Sequence, residues 1–264
     1  MKRRGYSETM LQNSIEQVLA IDDYRPSAVV NELFSRLVEG VVQAPDQMTF
    51  TDETMRNVQR AASAAETELE LYWARKIQCA EDPRAVLEQF PYTDNYAELV
   101  RREIDLVEKS GMPLVPRARL LIIGSGPLPL SALEYVRQRG LVVDHVDISM
   151  RAVVLCRSVS GLLGIQGETL LGDGQTVHLE ASYDAILIAG LAGESLADKQ
   201  SIIDHILPSL RNDGRLIVRS AAGARRLLYP AIEARDLAGV QLLEEYHPDD
   251  EVINSVFVYK KELS

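Results

Sequence analysis

The stretch LLIIGSGPLPL, residues Leu120–Leu130, joins an apolar, strand-like run to a loop that contains two glycines. Glycines at the end of a buried strand let the backbone approach a ligand closely and direct its N–H groups at that ligand. A dinucleotide-binding G-x-G-x-x-G motif needs a third glycine, where this chain has Pro129. The stretch therefore predicts a nucleotide site of another kind. We expect Pro127 and Pro129 in the first turn of the next helix, where a missing N–H does no harm.

Short apolar runs alternate with helical segments from residue 113 onward, and this alternation is typical of a parallel sheet covered on both faces. Two further strand-like runs near the end of the chain predict an antiparallel hairpin. The expected fold is therefore α/β, Rossmann-like and of the class I methyltransferase type, with a mostly parallel sheet and a terminal antiparallel hairpin. The seven runs are ARLLIIG (118–124), LVVDHVDI (141–148), ETLLGD (168–173), YDAILIAG (183–190), GRLIVRS (214–220), GVQLLEEY (239–246) and VINSVFVYKK (252–261).

The first part of the chain has a different pattern, in which apolar residues recur at helical spacing and no segment alternates with period two. The strongest helical segment is TDETMRNVQRAASAAETELELYWARKIQCA, residues 51–80, which opens with a capping threonine and has an alanine-rich middle. Residues 84–89 and 95–109 also have helical patterns. We therefore expect a helical cap domain over residues 1–112 and a Rossmann-like domain over residues 113–264.

Amino-acid composition indicates which partners and which cellular compartment to expect. The formal net charge of −11 disfavours a nucleic-acid partner, since phosphate binding needs a basic surface. Two distant cysteines, Cys79 and Cys156, suit the reducing cytoplasm and provide neither a disulfide scaffold nor a zinc knuckle. No apolar stretch has the length of a membrane span, and the four histidines are too scattered to predict a metal site. A cytoplasmic protein without a bound metal is expected.

Acidic residues follow the second and third predicted strands. Asp147 lies where such folds hold the ribose hydroxyls, and its charge would repel the 2′-phosphate of NADP. Asp173 lies where they contact adenine. Each has a structural alternative, because Asp147 could cap the helix that begins near Ser149 and Asp173 could form an Asp-Gly turn. Taken with the glycine loop, both acids favour S-adenosylmethionine as the ligand. The predicted contacts in this part of the chain are Gly124, Ser125, Gly126, Pro127, Asp147 and Asp173.

The combination of this loop with a second motif resembles a known family. IIGSGPLPL together with FPYTDNYAELVRRE (residues 90–103) resembles the nicotianamine synthases, and most of all the bacterial branch that makes staphylopine-like and pseudopaline-like opine metallophores. The resemblance covers most of the chain. It continues through VDIS (146–149), GDGQTV (172–177) and GRLIVRSAAGARRLLYP (214–230).

The resemblance implies transfer of the 3-amino-3-carboxypropyl (aminobutanoyl) group of S-adenosylmethionine to an amine, with release of 5′-methylthioadenosine. It matches Glu70 to the glutamate at the acceptor amine and Tyr96 to the tyrosine beside it, although Glu66 and Glu68 are nearby alternatives to Glu70. A guanidinium is suited to the carboxylate of the methionine arm. The remaining predicted contacts are Arg219 for the cofactor and Arg101, Arg225 and Tyr229 for the substrates.

The acceptor expected from this resemblance is the α-amine of histidine, used once, because the chain stops soon after its last strand-like run and has no obvious segment to cover a longer intermediate. A nicotianamine synthase proper, which condenses several S-adenosylmethionine molecules, is the alternative. A small-molecule methyltransferase and a non-catalytic S-adenosylmethionine-binding module are weaker alternatives. The resemblance also implies a homodimer.

Overall fold

The computed structural model describes residues 8–45, 47–193 and 195–262. Its first part is helical, as predicted, and side-chain caps explain where helices begin. Thr51 accepts a hydrogen bond from the Thr54 N–H at the start of the longest helix, and Ser27 accepts one from Val30. The helices of the described residues are α1 (Glu8–Leu19), α2 (Ala28–Gln43), α3 (Asp52–Gln78), α4 (Pro83–Leu87), α5 (Thr93–Lys109), α6 (Leu130–Arg139), α7 (Met150–Leu163) and α8 (Leu196–Ile206).

A seven-stranded sheet forms the second part, in the order β3-β2-β1-β4-β5-β7-β6. The pairs among β1 to β5 are parallel, while β7 is antiparallel to both β5 and β6. The prediction of a mostly parallel sheet with a terminal antiparallel hairpin is thus confirmed. The strands are β1 (Arg119–Ile123), β2 (Val142–Asp147), β3 (Thr169–Leu171), β4 (Tyr183–Ile188), β5 (Leu210–Ser220), β6 (Val240–Tyr246) and β7 (Ser255–Lys261).

Burial of apolar side chains joins the helical part to one face of the sheet. One core cluster combines Leu71 of α3 and Ile104 of α5 with Leu120 and Ile122 of β1. A second cluster fills the other face, where Ile203 of α8 packs. Because α3 and α5 share a core with β1, their side chains are held over the carboxyl end of the parallel strands. The domain boundary predicted at residues 112 and 113 falls in the loop between α5 and β1 and stays a prediction.

The two prolines of the glycine loop lie outside the next helix. α6 begins at Leu130, and Pro129 is the residue just before it. The expectation that both prolines belong to its first turn is wrong, because the Leu130 N–H donates to the Leu128 carbonyl (2.8 Å) and closes a separate turn ahead of the helix. Within the described ranges, no helix is both long enough and apolar enough to cross a membrane.

Candidate active site

A cavity of about 560 Å³ opens at the carboxyl ends of β1, β2 and β4, beneath α3 and α5. This edge is where ligands bind in open α/β sheets, since the loops that follow parallel strands meet there. The glycine loop forms its floor, and side chains from both parts of the chain form its walls. The predicted site residues that line it are Glu70, Tyr96, Gly124, Ser125, Gly126, Pro127, Asp147, Asp173, Arg219 and Tyr229.

The glycines of the loop are required by conformation and by space. Gly124 and Gly126 have positive φ angles of 78° and 66°, which residues with a side chain rarely adopt. A Cβ at Gly126 would lie 2.5 Å from Oε2 of Glu70, and one at Gly124 would lie 2.9 Å from Cβ of Ala192. The loop therefore lets the Glu70 carboxyl come directly over the end of β1.

Asp147 and Asp173 line the cavity. Asp173 also makes the turn contact that was its structural alternative, whereas α7 is capped by Ser149 and not by Asp147. Asp147 accepts hydrogen bonds from the Gly126 N–H (2.9 Å) and from the Ser149 N–H (2.8 Å). Ser149 is itself the N-cap of α7. Asp173 accepts from the Gln175 N–H (2.9 Å), as expected of an Asp-Gly turn. Both carboxyl groups are thus held in place by backbone donors at the cavity wall.

Two carboxyl–phenol pairs lie next to each other on one face of α3. The Tyr96 hydroxyl donates to Glu70 (3.4 Å), and the Tyr229 hydroxyl donates to Glu66 (2.7 Å). Glu66 and Glu70 are four residues apart, which places both on one face of the helix. The structure therefore brings together Glu70, Tyr96 and Tyr229, together with Glu66, one of the alternatives to Glu70 predicted from the sequence.

Burial raises the pKa values of the two carboxyl groups and the two phenols. It raises the pKa of Glu70 well above its usual range, and the charge of Glu66 raises it further. Burial also raises the pKa of Glu66, although the hydrogen bond from Tyr229 opposes the change. The pKa values of Tyr96 and Tyr229 rise through burial and the nearby carboxylates, so both phenols stay neutral donors. The result is a pair of carboxyl groups able to take up a proton nearer neutrality than ordinary glutamates.

A second cavity, of about 420 Å³, lies on the other side of these pairs. Its lining is rich in aromatic rings and includes Glu251, while no Lys or Arg is found among the described residues that line it. The two cavities share one set of side chains, which we call the shared wall: Glu66, Glu70, Tyr96, Tyr229 and Asn254. Two ligands could therefore meet at these carboxyl groups, one from each cavity. The aromatic residues of the second cavity are Tyr24, Phe34, Trp73, Phe90, Tyr92, Tyr96 and Tyr229.

Arg219, at the end of β5, lines the first cavity from within the core. Its Nε donates to Glu103 (2.6 Å) and its Nη2 to Ser131 (2.9 Å). The Tyr135 hydroxyl donates to the other oxygen of Glu103 (2.9 Å). This buried network orients the guanidinium, which can present its remaining N–H groups to an anionic ligand in the first cavity.

Two predicted contacts are corrected, because Arg101 and Arg225 line neither cavity. Arg101 follows Tyr96 by five residues, which turns its side chain by about 140° around α5. It is exposed there and pairs with Glu98 (2.7 Å) and Asp105 (2.6 Å). Arg225 is buried, and its guanidinium donates to the carbonyls of Asp250 (2.6 Å) and Val252 (3.2 Å). Its role there is to fasten the turn Gly223–Leu227 to the loop before β7.

Sequence reasoning missed Lys199, which shapes the loop after β4. This side chain on α8 is fully buried, and its ammonium donates to the carbonyls of Ala192 (2.6 Å), Gly190 (3.3 Å) and Ala189 (3.4 Å). Burial lowers the pKa of Lys199 to about 8. Nothing in the local sequence separates it from a solvent-facing helix lysine. In the part of the chain that the structure describes, no three His, Cys, Asp or Glu side chains are placed to hold a metal ion.

Known proteins share this arrangement of a helical part over a methyltransferase-like sheet. A family model described as nicotianamine synthase protein matches residues 7–264. Nicotianamine synthase 2 of Oryza sativa subsp. japonica is 35% identical over 254 residues, covering 89% of this chain and 76% of the rice protein. A crystal structure of MtNAS in complex with MTA and tNA shares the fold with a TM-score of 0.81 at 20% identity, covering 96% of this chain and 97% of that one.

A mutant of MtNAS in complex with S-adenosylmethionine gives a TM-score of 0.78 at 19% identity, again covering 96% and 97% of the two chains. At these identities the solved structures establish the fold alone. The family model matches nearly the whole length of the chain, and the rice enzyme is 35% identical to it. These two findings establish the family as well as the fold. The chain belongs to the nicotianamine synthase family.

Proposed function

We propose that this protein transfers the 3-amino-3-carboxypropyl group of S-adenosylmethionine to the α-amine of histidine and releases 5′-methylthioadenosine. The observation that carries the proposal is the pair of cavities that meet at Glu66 and Glu70. S-adenosylmethionine would lie in the first cavity, over the glycine loop, and the acceptor in the second. In this arrangement the sulfonium and the amine would meet at the shared wall, beside a proton acceptor.

The chemistry follows from that placement. The amine nitrogen attacks the γ-carbon of the methionine arm, the bond from that carbon to sulfur breaks, and its electron pair leaves with the thioether. An amine must first lose a proton, which Glu70 takes up, and Tyr96 holds the carboxyl group in position. All three carbons on the sulfonium are electrophilic, so the direction of approach decides which of them reacts. We propose that the arm, and not the methyl group, faces the second cavity.

The lining of the second cavity supports an acceptor with a planar, weakly basic ring. Aromatic side chains can stack on an imidazole, and the carboxyl groups of Glu66, Glu70 and Glu251 attract amines and imidazolium. We propose that the chain belongs to the bacterial opine-metallophore branch, which would use histidine once. The absence of Lys and Arg from the described lining disfavours an acceptor that carries several carboxylates.

Repeated condensation of S-adenosylmethionine, as in a nicotianamine synthase proper, is the second candidate. Two observations favour it. The rice enzyme with 35% identity is a nicotianamine synthase, and a cavity of about 420 Å³ has room for more than one amino acid. Both candidates use the same transfer step and differ in what occupies the second cavity.

The co-products and adducts of three parallel reactions test the proposal. The purified protein is incubated with S-adenosylmethionine alone, with S-adenosylmethionine and L-histidine, and with S-adenosylmethionine and D-histidine. The products of each reaction are identified by mass spectrometry. We expect methylthioadenosine together with histidine that carries one aminocarboxypropyl group, from one of the two enantiomers. If the arms condense with one another and no histidine adduct forms, the second candidate function, repeated condensation of S-adenosylmethionine, replaces the first. S-adenosylhomocysteine as co-product would show a methyltransferase and overturn both.

Substitution of Asp147 tests the proposed binding site for S-adenosylmethionine. We expect Asp147→Ala to weaken binding of S-adenosylmethionine by roughly 10- to 100-fold, because the ribose hydroxyls lose a side-chain acceptor. Isothermal titration calorimetry measures the affinity. Asp147→Asn is the matched variant, since it keeps one acceptor for the Gly126 N–H that Asp147 now holds. An unchanged affinity in both variants would reduce Asp147 to an anchor for the start of α7.

A further inference from the structure

Asn254, on the shared wall, has a buried amide nitrogen without a hydrogen-bond partner among the described residues. It lies just before β7 and is 8% exposed, and its Nδ2 atom makes no hydrogen bond within the described residues. It lines both cavities. A buried amide donor without an acceptor is unfavourable, so native structures pair nearly all such groups with protein, water or ligand. Its position at the junction of two cavities indicates a ligand.

The surroundings hold this amide close to the loop that follows β4. A Cβ on Gly190 would lie 3.0 Å from Nδ2 of Asn254 and 3.0 Å from Cδ1 of Tyr229. The missing side chain at Gly190 therefore makes room for both residues at the edge of the first cavity. Tyr229 in turn donates to Glu66 (2.7 Å), and Asn254 lines the same two cavities as Glu66 and Glu70.

The chemistry of the neighbours selects the ligand group. Glu66 and Glu70 suit an amine, whereas an amide N–H suits an anionic oxygen. Arg219 lines the first cavity, and no Lys or Arg is among the described residues of the second. A carboxylate that enters from the first cavity can therefore use a cation and then an amide donor at the wall. A carboxylate that enters from the second cavity would face the glutamates, with no Lys or Arg among the described lining residues to balance their charge.

We propose that the side-chain amide of Asn254 donates a hydrogen bond to the carboxylate of the aminocarboxypropyl arm of S-adenosylmethionine and holds that arm against the shared wall. This rests on the proposed function for the identity of the ligand. The contact fixes the far end of the arm, which directs the γ-carbon toward the second cavity and keeps the methyl group turned away. Asn254 is thus a positioning residue for the choice among the three carbons on sulfur.

Two stable analogues isolate this contact, because S-adenosylhomocysteine retains the arm and methylthioadenosine lacks it. We expect Asn254→Asp, which opposes the arm with a negative charge, to weaken binding of S-adenosylhomocysteine by roughly 10- to 100-fold. Binding of methylthioadenosine should not change. Asn254→Leu, which is similar in size and has no donor, should also weaken binding of S-adenosylhomocysteine and leave binding of methylthioadenosine unchanged. Asn212→Asp is the matched control, because Asn212 is exposed and lines neither cavity.

Calorimetry of each variant with each analogue, with thermal unfolding as the check on folding, gives distinct outcomes. Equal loss of both analogues, or loss of neither, would overturn the role of Asn254. A raised KM for the acceptor with unchanged affinity for S-adenosylhomocysteine would move the contact to the acceptor and also overturn it. If the unaltered protein binds neither analogue, the cofactor assignment of the proposed function fails, and this inference fails with it.

Discussion

Glu70→Gln is expected to lower the turnover number by roughly 100- to 10,000-fold, the range that a positioned acid–base group contributes, while S-adenosylmethionine still binds. The amide has nearly the shape of the carboxyl group but cannot take a proton from the acceptor amine. The Gly126 backbone lies close enough that a Cβ there would be 2.5 Å from the Glu70 carboxyl. The lost group is therefore one that lies directly over the glycine loop. Rapid-quench measurement of methylthioadenosine release gives the rate.

The pH profile gives a second readout of the same substitution. Burial and the charge of Glu66 raise the pKa of Glu70 well above its usual range. Activity should be present above this raised pKa and be lost as pH falls through it, since the protonated carboxyl group is no longer a base. Glu66 and Glu70 interact, so the acid limb belongs to the pair. In Glu70→Gln this limb should change together with the rate.

Glu68→Gln is the matched control, because it makes the same change on α3. Glu68 is 3.6 Å from Arg151 in a partly exposed pair and lines neither cavity, so its loss should leave turnover unchanged. Thermal unfolding separates chemistry from folding. A carboxyl group whose pKa is raised by folding disfavours the folded state at neutral pH, so Glu70→Gln should be as stable as the parent or more so. Full activity in Glu70→Gln would remove Glu70 from the proposed mechanism.

The fold followed from local patterns, and the site followed only in part. The apolar runs around LLIIGSGPLPL predict the sheet because a strand buried on both faces must be apolar throughout. Glu70 and Tyr96 were predicted from a resemblance, and the four-residue spacing of Glu66 and Glu70 could have shown that both lie on one helix face. Helical geometry likewise argues against Arg101, which lies on a different face of α5 from Tyr96.

The second cavity could not have been predicted from the chain. Its lining comes from segments as distant as Tyr24, Phe90 and Ile253, and no local pattern states that they meet. Asn254 gives no signal either, because an asparagine before a strand is typical of a turn. What the sequence lacks in both cases is the tertiary arrangement that turns ordinary residues into a cavity wall.

Glu103→Leu is expected to have the largest effect on stability, about 3–5 kcal/mol of unfolding free energy, because it leaves the Arg219 guanidinium buried without its counter-charge. Glu103 is fully buried and lies 2.6 Å from Arg219. Asp105→Asn, on the same helix, removes an exposed partner of Arg101 and should cost only about 0–1 kcal/mol. Urea denaturation with a common slope measures both. Equal losses in the two variants would show that the Glu103–Arg219 pair is not a buried ion pair in solution.

The double substitution Glu103→Leu with Arg219→Met separates this structural role from the role in binding. Replacing both members of a buried ion pair by apolar groups of similar size is often neutral, so most of the lost stability should return. The double variant should nevertheless bind S-adenosylmethionine weakly, because Arg219 is the one Lys or Arg among the described residues that line the first cavity and would pair with the carboxylate of the arm. If the double variant regains stability and binds S-adenosylmethionine as tightly as the parent, Arg219 serves the core alone. The carboxylate would then depend on neutral donors such as Asn254.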